Sequence, residues 1–563
     1  MGKFPYSYHT FVFPFIWNDD GKISMEKFEE VLNKDFWKPT NWNTRDISKD
    51  SKEYLLDYAT YQYFNNPVCD VIFGIGNDKK TPVVKNYSFN EISNKSKYII
   101  KKDKHEYSLS INQISLSIYN TGIAVMVYET EYNPDDPEKR TMDDVRRINQ
   151  LGRRISAAYL PEKGRNDVLY ADYLGIRLYL KGKKQAVGKT ESDDLVEYLF
   201  ENDFKKDLIN NKKISLNYVP KIVKGIISFS EKKCDKSKYG ITSSKKPSNS
   251  KKKMFYISNI LDDRMFVCCL VRDNKFAGQL KIGENINGKY EYSYETCAKD
   301  KKMNIEENIA CLLYAFAFID DGKEPSCMNR EMMINILKKH VYDRWIEYGT
   351  VYCITHHSLV CVVEENLKNT QSTVINPFLT LYIKMAILVL VQRASIISFE
   401  REGAQISKGF EKKNAISNKN AKKIMSLHER YVAFKNQLLF FEVTAQEQGI
   451  ELYDMMHESL YIKKETEQLE SQLKNLYEAS NIDQNIKTNK YLLFIAFGGL
   501  IVSLIQIFWK YLTTLLSYIL ELEWIQYLYS WIKIHPILLY TAFSVFIVFV
   551  FFLIVIRPIK IKL

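Results

Sequence analysis

Residues 421–509 read AKKIMSLHERYVAFKNQLLFFEVTAQEQGIELYDMMHESLYIKKETEQLESQLKNLYEASNIDQNIKTNKYLLFIAFGGLIVSLIQIFW. Within them Ile424, Leu427, Tyr431, Phe434, Leu438, Phe441, Ala445, Gln448, Leu452, Met455, Ser459, Ile462, Thr466, Leu469, Leu473 and Leu476 alternate steps of three and four. That spacing is a heptad seam sustained for about seven heptads. Taken as one helix, Ala421–Ser480 predicts a rod about 90 Å long at 1.5 Å per residue. Such a rod exceeds a small domain, so it is expected to pack on copies of itself or on other long helices. Tyr491–Trp509 follows with no charged residue, the length that crosses a bilayer. The stretch reads as a stalk that enters a membrane. A plainer alternative stays open, a long helix in the core of a monomeric helical domain followed by an anchor. Gln448, Ser459 and Thr466 weaken the seam, or set its register.

A second uncharged apolar run, Pro536–Ile556, also has spanning length. Lys487 and Lys490 precede the first span, and Arg557, Lys560 and Lys562 follow the second. In the connector Lys510–His535, Lys510 and Lys533 are balanced by Glu521 and Glu523. The positive-inside bias therefore predicts a multi-pass protein of the inner (plasma) membrane with both termini cytoplasmic. Trp509, Trp524, Tyr527, Tyr529 and Trp531 suit an interfacial connector. Phe378–Val391 is shorter and carries Lys384, and reads as a buried helix.

The chain of 563 residues holds two or three folded regions. Its net charge of +12 sits largely in lysine clusters, which suits an anionic partner or membrane surface. No motif for reading nucleic acid is visible, and no direct nucleic-acid binding is expected. Nine cysteines without a Cys-x-x-Cys spacing fit a reducing compartment. The N-terminal MGKFPYSYHTFVFPFIW lacks the features of a signal peptide. The expected organisation is a soluble α/β or α+β region over 1–375, a helical stalk over 376–489, and a two-helix transmembrane hairpin with a basic tail over 490–563.

Along the first region, Phe11–Trp17 reads as a strand, bent or at an edge because of Pro14. Lys52–Phe64 suggests a short helix. Tyr107–Tyr128 reads as a hairpin around Asn120-Thr121-Gly122. Thr141 caps a helix with Asp143 and Asp144 in its first turn. At 100° per residue, Arg146, Arg147, Gln150, Arg153 and Arg154 fall on one face, and Val145, Ile148, Leu151 and Ile155 on the other. Guanidiniums so gathered suit a phosphate, because their planar fork donates two parallel hydrogen bonds. A solvated face, or ion pairs to the domain's own acids, explains them equally well. Val168–Leu180 and Ile214–Phe229 read as strand-like, and Glu231–Lys253 as a disordered insertion. In Phe255–Val271, Asp262, Asp263 and Arg264 interrupt an apolar run, a pattern of paired, strand-end or functional charges. Asn304–Ile319 and Met328–Trp345 read as helices. Gly349–Val363 reads as two strands with His356-His357 at the turn. Asn376-Pro377 should open a helix to about Arg401. Sequence signatures of phosphate-binding loops, serine hydrolases and zinc proteases are absent, and the chain is read as a non-enzyme.

This layout resembles the CorA divalent-cation channel family over roughly residues 370–563. CorA proteins are pentamers whose first span lines the pore. The family's Gly-Met-Asn signature does not occur; Ser503-Leu-Ile-Gln-Ile-Phe-Trp-Lys510 stands there instead. The resemblance therefore does not carry over the family's magnesium filter. Gly152-Arg-Arg-Ile-Ser156, Leu261-Asp-Asp-Arg-Met265 and Glu442-Val-Thr-Ala-Gln-Glu-Gln-Gly-Ile-Glu-Leu-Tyr453 resemble the CorA-like membrane effector of type III CRISPR systems. That resemblance implies an antiviral channel or pore gated by a nucleotide second messenger, S-adenosylmethionine joined to AMP, which disrupts the membrane on phage infection. It further implies that Arg153 and Arg154 grip the ligand phosphate, with Arg146, Arg147 and Gln150 beside them. Asp262 or Asp263 would accept from the adenine or the methionine amino group, or orient Arg264. No cofactor is required, and a divalent cation is a further candidate ligand. The alternative is a constitutive CorA-type divalent metal channel.

Two spans per chain cannot enclose a pore, so conduction requires a homo-oligomer, a pentamer by the resemblance. Asn489, Leu492, Ala496, Gly499, Ser503, Gln506 and Lys510 share the smallest and most polar face of the first span. They are expected to line the pore or a tight helix contact. No acidic ring lies within the span, so strong cation selectivity has no evident source.

Overall fold

The structure is a computed structural model. It describes residues 5–17, 25–30, 32–40, 59–74, 82–89, 92–155, 171–181, 195–202, 221–227, 257–262, 264–281, 283–286, 289–292, 308–320, 325–365, 369–408 and 418–519, with single positions 530, 533, 541, 544 and 545. The chain divides into two units, Met1–Tyr477 and Glu478–Leu563. Asp263, the insertion 231–253 and nearly all of the expected span 536–556 lie outside the described residues.

The strands in chain order are β1 (Ser7–Ile16), β2 (Trp37–Pro39), β3 (Val84–Phe89), β4 (Lys97–Lys102), β5 (His105–Tyr119), β6 (Ile123–Tyr132), β7 (Tyr173–Lys181), β8 (Leu195–Asn202), β9 (Ser258–Asn259), β10 (Phe266–Arg272), β11 (Gly283–Ile286), β12 (Lys289–Tyr292), β13 (Val341–Tyr342), β14 (Val351–Ile354) and β15 (Ser358–Val363). The helices are α1 (Met25–Glu29), α2 (Asn66–Phe73), α3 (Met142–Gly152), α4 (Lys221–Ile227), α5 (Asn274–Lys281), α6 (Ile309–Phe318), α7 (Arg330–His340), α8 (Ile383–Ser407), α9 (Asn418–Gln437), α10 (Glu447–Ser459) and α11 (Ile462–Ile519).

One sheet organises the first unit, in the order β13-β14-β15-β10-β1-β6-β5-β4-β7-β8, with β2, β3 and β9 attached beside it. The pair β10–β15 is parallel and the other described pairs are antiparallel, so the sheet is mixed. Strand β1, SYHTFVFPFI, is buried at every position. Its alternation explains why. Phe11, Phe13 and Phe15 enter one core, with Val145, Ile148 and Leu151 of α3 and Leu313 and Phe316 of α6. Tyr8 and Val12 enter a second core with Leu388 and Val389 of α8, Leu427 and Phe434 of α9, and Leu452 of α10. The sheet is thus covered by helices on both faces, the arrangement that two apolar faces require.

Pro14 does not make β1 an edge strand. The pairing with β10 ends at Val12 and that with β9 begins at Phe15, so Pro14 falls between two partners on that side. A missing N–H costs little there. The β5–β6 hairpin turns through Asn120-Thr121-Gly122 as expected, with Gly122 at φ 87°.

The single rod does not form. Residues 418–519 fold as α9, α10 and α11, broken at 438–446 and at Leu460-Tyr461. The seam is real, but its apolar residues are used at home. Ile424, Leu427, Tyr431, Phe434, Leu438, Leu452, Ile462, Leu469 and Leu473 are all buried in the unit's own second core. Phe441 is 82 % exposed in the first break. The helix that continues beyond this unit is α11, not the one that follows α8. Two other readings change. Lys221–Ile227 is helical, because Ile222, Val223, Ile226 and Ile227 form one buried helical face. Helical geometry also starts before Pro377, through two π-type segments, Gln371–Ile375 and Phe378–Tyr382, whose wider bonding passes the proline's missing N–H.

Among the described residues, two helices are long and apolar enough to cross a membrane, Gln371–Ser407 and Thr488–Leu515. The first is mostly buried and locked to its neighbours, as the sequence reading of Phe378–Val391 expects. Gln392 Nε2 donates to Leu438 O at 2.8 Å and to Tyr453 Oη at 3.0 Å, and Ser395 Oγ donates to Thr121 Oγ1 at 3.0 Å. Truncating the sheet centre tests this account of the core. Phe13→Ala should cost about 3–5 kcal/mol, read as a lower urea midpoint of full-length protein in detergent. A change within about 0.5 kcal/mol would mean that the two-faced core is wrongly assigned.

Candidate functional site

The site begins with the cap of α3. Thr141 Oγ1 accepts from Asp144 N at 3.1 Å, and Asp143 and Asp144 lie in the first turn. Val145, Ile148, Leu151 and Ile155 seat the helix in the core as expected. Gly152 fixes how closely its end approaches the sheet. A Cβ there would lie 2.7 Å from Phe11 Cζ and 3.0 Å from Ile100 Cδ1, and Tyr98 Oη donates to Gly152 O at 2.8 Å. A buried polar chain adds a second tether. The His9 ring bonds Asn149 Oδ1 through Nδ1 at 2.7 Å and Ser7 Oγ through Nε2 at 2.8 Å.

The arginines do not share one solvated face. Arg146, Gln150 and Arg153 form a buried line aimed at the C-terminal end of α6. Arg146 Nε donates to Asp320 O at 3.2 Å, and Nη1 to Asp143 Oδ1 at 3.2 Å. Arg153, 2 % exposed, donates through Nε and Nη2 to Gln150 Oε1 at 3.3 and 3.0 Å, and through Nη2 to Ile319 O at 3.4 Å. The last carbonyls of a helix carry partial negative charge, so this end suits guanidiniums. Ile319 adopts φ 57°, a strained conformation for a β-branched residue, beside these bonds. Arg147 turns aside to hydrogen-bond Tyr107, whose hydroxyl donates to Asp144 Oδ1 at 3.0 Å. Arg154 lies beyond the helix altogether, because α3 ends at Gly152.

That departure brings together two segments far apart in sequence. Arg154 and Arg264 form an antiparallel bridge, and Met265 N donates to Arg153 O at 2.9 Å. Arg264 donates to Asp262 Oδ2 through Nε at 2.9 Å and Nη2 at 2.7 Å. His357 Nδ1 lies 3.9 Å from the same oxygen. Burial, then the charges of Arg153 and Arg264, lower the His357 pKa to about 4, against a smaller opposing effect of Asp262. The imidazole is neutral at pH 7. Asp262, Arg264 and His357 are the partly exposed members of this corner, with Arg153 and Arg154 behind them. The corner offers planar donors for a phosphate, a carboxylate for an amino group, and a neutral ring able to donate or accept. Among the described residues no cluster of His, Cys, Asp and Glu is arranged to hold a metal.

Sequence reasoning missed His357. It placed the residue in a turn, correctly, but nothing local announces its neighbour Asp262. The Ile319 carbonyl was equally invisible.

In the second unit, Thr488–Leu515 is long and apolar enough to cross a membrane and none of it is buried. Asn489, Leu492, Ala496, Gly499, Ser503, Gln506 and Lys510 lie along one side of this continuous helix, all exposed. Ser503 Oγ donates to Gly499 O at 2.9 Å, which satisfies the hydroxyl within the helix. A Cβ at Gly499 would meet nothing within 4 Å.

Comparison with protein-family models, curated proteins and solved structures finds no match to this chain.

Two outcomes test the geometry. Gly152→Ala should destabilise the fold by about 1–3 kcal/mol through overpacking against Phe11, read as a shifted urea midpoint; an unchanged midpoint would remove the close approach. Stability should also fall with acid. Burial, set against the Asn149 hydrogen bond, holds His9 at about 4, and burial holds His457 at about 4, as His357 is held. In the unfolded chain these rings titrate near 6.5. The unfolded state therefore binds more protons between those values. The contribution is fully present above about pH 6.5 and is lost progressively as pH falls toward 4. Urea midpoints at about pH 7 and about pH 5 should differ, with His9→Gln and His457→Gln flattening the dependence.

Proposed function

We propose that this chain is an antiviral membrane effector linked to CRISPR immunity, an oligomeric CorA-like channel or pore opened by a nucleotide second messenger, S-adenosylmethionine joined to AMP. The observation that carries the reading is the continuity of α11. One helix starts among residues packed in the sheet-bearing unit and includes the exposed apolar stretch Thr488–Leu515. A ligand-responsive unit and a membrane segment joined by one helix is the economy a gated effector needs.

The arginine corner supports the ligand class. Arg264 presents its partly exposed guanidinium to a phosphate, with the buried Arg154 behind it, and Asp262 accepts from the adenine or methionine amino group. Arg153, Arg146 and Gln150 are engaged inside the protein. A phosphate that reaches Arg153 does so by exchanging with Gln150 Oε1 and the Ile319 carbonyl, which stand in for it in this state. The ligand shifts the equilibrium only by its preference for the open arrangement. A preference of about 100-fold contributes roughly 2.7 kcal/mol per site, and several equivalent sites in an oligomer add. The apolar faces around the polar side of Thr488–Leu515 suit lipid and neighbouring copies, and a pentamer in the plasma membrane with both termini cytoplasmic completes the proposal.

The test is dye or ion flux from liposomes holding the purified protein, with and without the conjugate. Flux only with the conjugate is expected. Arg264→Glu, at the partly exposed guanidinium, should weaken conjugate binding by at least about tenfold and abolish the flux response while leaving assembly intact. A retained response would sink the site assignment. Flux without conjugate that responds to magnesium would replace the whole reading with a constitutive divalent-cation channel.

A further inference from the structure

The turn 355–358, between β14 and β15, is held from several sides. Thr355 Oγ1 donates to Ala317 O near the end of α6 at 3.2 Å, and Ser358 Oγ donates to the same carbonyl. His357 O accepts from Val267 N at 3.0 Å. The His357 ring reaches toward Asp262, the partner of Arg264. The adjacent ring, His356, lies 4.9 Å from the ring of Tyr461.

Tyr461 is where α11 begins. Its carbonyl accepts from Glu465 N at 3.0 Å. Its φ is 55°, in the left-handed region that a tyrosine rarely occupies, and its side chain is half exposed. A strained residue at a helix start persists only because neighbours hold it. Here they are the His356 ring, Ser459 Oγ donating to Ile354 O at 3.1 Å, and Arg393, which donates to Leu460 O at 3.0 Å and pairs with Glu465 at 3.5 Å. One short turn therefore touches the Asp262–Arg264 corner through His357 and the origin of α11 through His356.

We propose that the His356-His357 turn is the transmission element of the protein: a change in how Asp262 and Arg264 are engaged displaces His357, and His356 passes it to Tyr461 and the first turns of α11. The proposal deepens the functional reading given above and rests on it for the identity of the ligand, but not for the coupling. Neither ring needs to touch the ligand's phosphate for this role, which makes His356 a positioning residue.

The experiment uses the full chain in lipid nanodiscs and follows amide hydrogen exchange over Ile462–Leu469. Asp262→Asn should change that exchange about fivefold or more, with no ligand present. The change should vanish in His356→Ala and Tyr461→Gly backgrounds and survive in His356→Phe, which keeps a ring. With the conjugate added, His356→Ala should bind it with unchanged affinity yet lose about tenfold or more of the flux response in liposomes. Unchanged exchange in Asp262→Asn, or a change that persists in His356→Ala, overturns the transmission element. Failure of the unsubstituted protein to bind the conjugate overturns the functional reading alone, because the Asp262 comparison involves no ligand.

Discussion

Strand β1 has to be paired along both edges and covered on both faces, and the rest of the first unit follows from that constraint. Its odd-numbered aromatics need helices on one side, and α3 and α6 supply them. Its even-numbered residues need helices on the other, and α8, α9, α10 and the start of α11 supply those. Each fully buried aromatic or branched side chain contributes about 1.5–3 kcal/mol relative to exposure, so β1 alone commits the two helical layers to it. The arginine helix and the helix that leaves the unit are thereby fixed to opposite faces of one sheet.

The electrostatics of the corner follow from the same packing. Seating α3 by Val145, Ile148 and Leu151 turns Arg146 and Arg153 inward, where they would be costly without partners. The C-terminal carbonyls beyond α6 meet them. Arg154 is buried as well, and Arg264, joined to it by a bridge between their backbones, is left partly exposed with Asp262. Arg146, Arg153 and Arg154, which share a face on a helical projection, are thus drawn into the fold, and the partly exposed guanidinium beside them is Arg264, from another segment.

Much of the fold was legible. The β5–β6 hairpin, the Thr141 cap and the β14–β15 turn follow from local rules and are present. The long rod was not, and the reason is instructive. A heptad seam states that one side of a helix is apolar; it does not state what covers it. Here the sheet of the same chain does, and the breaks at 438–446 and Leu460-Tyr461 bring the successive helices back onto it. Neither break contains a proline or glycine, so no breaker residue announced them. For the site, Asp262 and Arg264 could be singled out because charge inside an apolar run is conspicuous, and Arg154 because it falls with other arginines on a helical projection. Their mutual proximity, and that of His357, depends on strand order across the sheet, which no local pattern encodes.

The order of the strands also sets a timetable for synthesis. Ser7 pairs with Val271, and β10 in turn pairs with β15, which ends at Val363. At about 5–20 residues per second, a ribosome delivers β1 well before β10 exists to close that edge. The β5–β6 meander forms early and can receive β1 along its other edge, while the β10 side stays open until the middle of the chain has emerged. An open, apolar strand edge is the part of a nascent chain most prone to wrong pairing. The apolar stretch of α11 is translated later still, after every described strand has been made, so the sheet has its full set of partners before a hydrophobic helix appears to compete for them.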